Sequence, residues 1–229
     1  MKLKSTIALA LITLCVNLAF GQLSNILGLD NVVIRTKKKY EDIKGSAYLY
    51  PTWNSGTITD KSGKGYSNLL LKYDSYKDQI ELNQEGQIVE PLTGMYNKFT
   101  LNFVDPVTNQ VIKHSFSAGY PVEGFTRENY FDLLLDGKIT LLKKYKTLFL
   151  EESVSGYGTS GAQKSFQSTI LYFIIADDSA SKEIKLNKKS VLNAFQEQTA
   201  EIEAFIKEKK MKVKSETDLI EIIKFLNAN

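Results

Sequence analysis

The sequence predicts an α+β fold: an antiparallel β-meander, either barrel-like or half-open, followed by two C-terminal amphipathic helices. Three observations carry that reading. Short runs of β-branched and aromatic residues alternate with turn clusters from residue 32 to residue 176. The apolar spacing changes to three and four residues after Ser190. No Pro- or Ser-rich linker divides the chain. The expected divisions are a leader over 1–21, a β-rich region over 22–186 and a helical hairpin over 187–229, packed on the sheet.

The leader has the three parts of a secretory signal peptide. Lys2 and Lys4 form the basic start, Ser5 to Phe20 is uncharged and almost wholly apolar, and Ala19-Phe20-Gly21 places small residues where a signal peptidase reads them. Cleavage is expected before Gln22. The apolar run is shorter than the roughly 20 residues that a spanning helix needs. Cys15 raises the alternative of lipidation, but Leu14 before it and Val16, Leu18 and Phe20 after it argue against that.

Within the β region, Val32 to Thr36 is a short strand-forming run, followed by Lys37-Lys38-Lys39. Gly56 to Thr59 leads into the turn Asp60 to Gly65, and Tyr66 to Tyr73 returns. Ser75 to Asp78 and Asn83 to Gly86 are turns around a strand at Gln79 to Leu82. Lys98 to Val104 alternates, with Phe99, Leu101 and Phe103 on one face. The turn Asp105 to Asn109 joins it to Gln110 to Phe116. Tyr130 to Leu135, Ile139 to Leu150 and Phe166 to Ala176 supply three more segments. The run Ile170 to Ile175 is apolar at every position, as befits a strand covered on both faces. The first helix carries its stripe at Leu192, Phe195, Thr199, Ile202, Phe205 and Ile206. The second has Ser215 as N-cap, Glu216 and Asp218 in its first turn, and Leu219, Ile222, Ile223 and Leu226 inward.

Composition excludes several functions. Cys15 is the only cysteine, so a chain cleaved before Gln22 has no disulfide, thiolate metal site or cysteine nucleophile. Its 29 basic and 26 acidic residues, less Lys2 and Lys4, leave a net charge of +1. That balance gives no electrostatic case for nucleic acid. Arg35 and Arg127 are the only arginines.

Gly156-Tyr157-Gly158-Thr159-Ser160-Gly161 spells G-x-G-x-x-G, with Asp177 and Asp178 downstream. A dinucleotide site needs a helix opening at those glycines. A β-branched, aromatic run follows instead, so a hairpin tip is expected. Gly158-Thr159-Ser160-Gly161 also lacks the spacing of a nucleophile elbow. His114 is the only histidine, set in a strand beside Ser115, and reads as a surface residue. Asp74, Asp78 and Glu81 lack the density of a calcium loop and read as solvated turn charges. No catalytic residue, metal ligand or cofactor site is expected. The lysines at 207, 209, 210, 212 and 214 suit a solvated helix end.

The enriched class is aromatic. Trp53 and the tyrosines at 40, 48, 50, 66, 73 and 76 crowd the early β region. Their large amphipathic faces suit recognition. Tyr48, Tyr50, Trp53, Tyr73 and Tyr76 are the candidate binding residues.

Four stretches carry a family likeness: Gly45 to Pro51 with Trp53 and Gly56; Leu71 to Tyr76; Leu135 to Lys138 with Leu141 to Tyr145; and Asn187 to Ser190. Together they resemble a family of exported proteins of Bacteroidota-type bacteria whose function is unknown. The likeness implies a periplasmic or cell-surface address in a Gram-negative bacterium and a β domain with terminal helices. The likeness carries no activity, and the residues themselves leave two functions expected. One is non-catalytic recognition of an envelope protein or polysaccharide through the aromatic β region. The alternative is carriage of an apolar ligand or lipid in a sheet-enclosed cavity, with the helices as lid.

Overall fold

The computed structural model describes residues 32–35, 39–156, 159–176 and 180–228. The leader, Cys15, Asp177 and Asp178 lie outside them. Eleven strands form one antiparallel sheet that does not close. They are β1 (Val32–Arg35), β2 (Asn54–Asp60), β3 (Gly65–Asp74), β4 (Gln79–Gln84), β5 (Gln87–Pro91), β6 (Tyr96–Val104), β7 (Val111–Ser117), β8 (Phe131–Leu135), β9 (Ile139–Gly156), β10 (Thr159–Ala176) and β11 (Lys182–Ile184). Three helices follow: α1 (Lys188–Ala194), α2 (Thr199–Glu208) and α3 (Glu216–Ala228), with a 3₁₀ turn (Gln196–Gln198) before α2.

The spatial order is β1-β5-β4-β3-β2-β6-β7-β8-β9-β10-β11. Three strands therefore separate β5 from β6. In a flat sheet that is about 19 Å. The chain bridges it with residues 92–95, themselves folded into a turn by Met95 N–H donating to the Leu92 carbonyl at 3.1 Å. So short a link requires β2 to β5 to curl back toward β6. Gly56 of β2 permits this: a Cβ there would stand 2.1 Å from the Thr100 carbonyl oxygen of β6. The register of β2 against β3 shifts at the same place, between Gly56 and Ile58.

Local chemistry sets the turns. Asp60 accepts from Ser62 N–H at 2.8 Å and Lys64 N–H at 3.0 Å, closing β2–β3. Asp74 accepts from Tyr76 and Lys77 N–H at 3.1 and 2.9 Å, closing β3–β4. Between β4 and β5 the pair Gln84↔Gln87 leaves a two-residue loop, Glu85-Gly86, with φ of 50° and 87°. Two positive φ values make the turn whose twist matches a hairpin.

The curl is filled. Ile58, Leu71, Tyr73, Ile80, Leu82 and Val89 from its wall pack against Phe99, Leu101, Phe116, Tyr130 and Tyr145. Tyr73 and Phe116 have ring centroids 4.8 Å apart, and Phe99 stacks on Phe116 at 4.4 Å. A second cluster joins Leu141, Tyr172, Ile174 and Ile184 of the sheet to Val191, Ile202, Leu219, Ile222 and Ile223 of the helices. A third, on the opposite side of β9 and β10, gathers Leu142 and Phe173 with Val122 and Phe131. Adjacent residues of one strand thus serve different cores, as the uniformly apolar run at Ile170 to Ile175 led us to expect.

The expected pair of helices becomes three. The stripe anticipated through Leu192, Phe195 and Ile202 is broken at Phe195, whose φ of −126° and ψ of 61° end α1. α3 starts as expected: Ser215 Oγ accepts from Asp218 N–H at 3.1 Å. Its far end is tied to the sheet by Asn227, whose amide oxygen accepts from Ile139 N–H at 2.7 Å and whose amide nitrogen donates to the Ile139 carbonyl at 3.0 Å.

Candidate functional site

The open sheet leaves a seam between the β3–β4 turn and the long β9–β10 hairpin. Residues 39–53 cross it as a strap. Lys44 N–H donates to the Lys164 carbonyl at 3.1 Å and its carbonyl accepts from Phe166 N–H at 2.8 Å, so the strap adds to β10. Ser75 N–H donates to the Ala47 carbonyl at 2.9 Å, and Thr147 N–H to the Ser75 carbonyl at 3.2 Å, so the turn meets both strap and β9.

Aromatic rings line this seam in one connected series. The Lys72 amine stands over the Trp53 ring at 4.8 Å and the Tyr48 ring at 5.0 Å. Tyr48 meets Tyr40 edge-on at 6.0 Å, and Tyr40 meets Tyr76 at 6.0 Å and Phe166 at 5.1 Å. Tyr76 also contacts Phe166 at 5.2 Å and Phe149 at 6.5 Å. Tyr76 is 41 % exposed, whereas Trp53, Tyr48 and Tyr40 are half-buried. Tyr40 holds a φ of 62°, a strained conformation for a large side chain, which its ring contacts and its hydroxyl, 2.6 Å from Asp74, maintain.

Of the candidate binding residues, Tyr48, Trp53 and Tyr76 share this seam. Tyr50 lies apart, stacked on Phe103 with centroids 3.8 Å apart and bonded to His114. Tyr73 is fully buried in the curl, its hydroxyl donating to Asp78. Tyr40, Lys72, Phe149 and Phe166 complete the seam and were not among the candidates. The aromatic enrichment signalled Tyr40. Phe149 and Phe166 face each other only through the β9–β10 register, which places them opposite one another.

Beneath the seam is a buried ionic cluster, and it corrects the reading of Asp74 and Glu81 as solvated turn charges. Both are buried, as is Glu90 of β5. Arg35 pairs with Glu81 at 2.8 Å and with Glu90, and Lys39 pairs with Glu90 at 2.6 Å and Glu81 at 3.1 Å. Tyr48 adds its hydroxyl to Glu81 at 3.1 Å. Burial raises the Asp74 carboxyl above its ordinary range, with Tyr40 opposing it by hydrogen bonding. The basic partners come from β1 and the strap, far away in sequence, so local turn chemistry gave no sign of them.

Asp78 likewise is no solvated charge. It holds Lys144, whose amine lies 2.7 Å away, and it accepts from Asn129 and from Tyr130 N–H. His114 is the third correction. It is 6 % exposed, with Nδ1 2.6 Å from Asp132 and Nε2 2.7 Å from the Tyr50 hydroxyl. Its strand face points into the curl, where a polar ring needs both partners. Both nitrogens are engaged, and among the described residues neither bonds a serine or cysteine.

Of the G-x-G-x-x-G glycines, Gly156 and Gly161 belong to the β9–β10 ladder, pairing with Thr159 and Val154, and Gly158 lies outside the described residues. β10 runs on to Ala176, so no helix opens there. Among the described residues, no group of three His, Cys, Asp or Glu is placed to hold a metal ion. No helix there is long and apolar enough to cross a membrane. No family model, curated protein or solved structure matches the chain.

Proposed function

We propose that the chain is an exported, non-catalytic binding protein of the cell envelope, which recognises a macromolecular partner through the aromatic seam. The observation that carries this is the connected series from Trp53 through Lys72, Tyr48 and Tyr40 to Tyr76, held by ring contacts and by the ionic cluster below. Rings fixed before binding lose little entropy when a partner covers them. Their amphipathic faces suit either a polypeptide or the faces of sugar rings. The leader supports an address in the periplasm or at the cell surface. Carriage of an apolar ligand is the weaker reading, because large side chains already occupy the interior of the curl.

The test is co-sedimentation of the purified protein with the insoluble envelope fraction. Wild type is expected to bind saturably, and Trp53→Ala and Tyr76→Ser to lose most of that binding while keeping wild-type far-UV circular dichroism. Protease treatment of the fraction abolishes binding if the partner is a protein and spares it if a polysaccharide. Equal retention of both variants contradicts the proposal.

A further inference from the structure

A second recognition feature lies further along β10, at the β11 edge, and uses none of the seam's residues. β11 is the terminal strand, paired to β10 through Tyr172↔Ile184, Phe173↔Glu183 and Ile174↔Lys182. Among the described residues its other edge has no strand partner. Among the described residues, no backbone hydrogen bond from outside the sheet reaches Lys182, Glu183 or Ile184. A strand edge left with free N–H and C=O groups is a template for another extended chain.

Here the edge runs along a groove. Two hollows of about 760 and about 450 Å³ share Lys182, Asn193 and Ala194, and so adjoin along β11 and α1. The inner one has an apolar floor of Ile139, Ile174, Ala176 and Leu226, with Phe195 on its helical wall. Its charged residues balance: Lys138 and Lys182 against Glu197 and Glu201. The outer one is basic: Lys182, Lys185 and Lys189 outnumber Glu183. Lys185 and Lys189 are exposed and form no ion pair among the described residues, whereas neighbouring Lys188 is paired with Glu203 at 2.7 Å.

We infer that this groove accepts an extended polypeptide segment of a partner protein, which adds as a strand to β11. Its backbone lies along the outer hollow between β11 and α1, and its acidic side chains meet Lys185 and Lys189. The backbone edge supplies affinity, and the lysines of the outer hollow supply direction.

The probe is a synthetic eight-residue peptide of alternating valine and threonine with two glutamates at one end, titrated into the isotope-labelled protein. Amide shifts are expected at residues 182–185, with saturation. A peptide carrying lysines in place of the glutamates is expected to bind at least about tenfold more weakly, a difference of roughly 1.4 kcal/mol. N-methylation of alternate amides in the glutamate peptide is expected to abolish binding. The double variant Lys185→Glu, Lys189→Glu lies wholly on the surface and is expected to reverse the preference. No saturable shift with either peptide overturns the inference, as does undiminished binding of the N-methylated peptide. A charge preference unaltered in the double variant overturns it too.

Discussion

Replacing Lys144 with Met isolates what holds the curl against β9. Lys144 is 3 % exposed, and its amine bonds Asp78 at 2.7 Å, the Tyr130 carbonyl at 2.8 Å and the Tyr73 hydroxyl at 3.3 Å. It also stands 5.3 Å over the Phe131 ring. One side chain of β9 therefore joins the β3–β4 turn, the end of β3 and the loop before β8. Breaking a buried ion pair from one side costs about 3–5 kcal/mol. Asp78 retains three donors, Tyr73, Asn129 and Tyr130 N–H, so the lower end applies. With a urea dependence of about 3 kcal/mol/M, a loss of about 3 kcal/mol moves the midpoint down by about 1 M. The assay is equilibrium urea unfolding followed by fluorescence. Lys209→Met, at an exposed position, is the control and is expected to leave the midpoint unchanged. Adding Asp78→Asn to Lys144→Met is expected to cost less than the sum of the single changes, since the two groups are coupled. A midpoint shift below about 0.3 M for Lys144→Met refutes the assignment of this tie.

Gly56→Ala puts a Cβ into the Thr100 carbonyl and is expected to cost about 2 kcal/mol or more, read from the same urea curves. Asn227→Ala removes both bonds to Ile139, at about 1 kcal/mol each, and is expected to lower the thermal midpoint by roughly 4–8 °C. Alkaline pH is expected to destabilise the fold steeply. Burial raises Tyr40, Tyr48, Tyr50, Tyr73, Tyr120, Tyr130, Tyr145 and Tyr172 above their ordinary value, and Tyr96 to about 12. A phenol raised in the folded state stabilises it fully below about pH 10 and loses that contribution above, as the unfolded phenol ionises. Lys39 and Lys144, lowered chiefly by burial, act in the opposite sense, but two groups do not offset nine. The tyrosinate absorbance of these nine is therefore expected to rise in step with unfolding rather than near pH 10. A full, reversible titration near pH 10 in folded protein contradicts it.

Alternation and turn residues made most strands legible, because period two and an Asx turn are properties of neighbours. The alternation of Phe99 and Leu101 and the Ser215 cap are of that kind. β11 was not anticipated: three residues, Lys182 to Ile184, are too few for a pattern, and pairing with Tyr172 to Ile174 decides them. The single long helix failed at Phe195 because tertiary packing overrode a continuous stripe. The polar interior was the least legible. His114, Asp74, Glu81, Asp78 and Lys144 look like surface residues one by one. Each is buried because a partner from a distant strand or loop meets it, and composition does not encode that meeting. The seam was half legible: aromatic density marked Tyr48, Trp53 and Tyr76, but the curl that gathers them, and buries Tyr73, depends on the short link at residues 92–95.

Amide hydrogen exchange of the protein, alone and saturated with the insoluble envelope fraction, tests recognition through the seam most directly. The expected result is added protection confined to residues 39–53 and 72–76 and to the stretches around Phe149 and Phe166. Unchanged exchange there, with the protein demonstrably bound, would show that the partner is held elsewhere and that the aromatic seam serves only the fold.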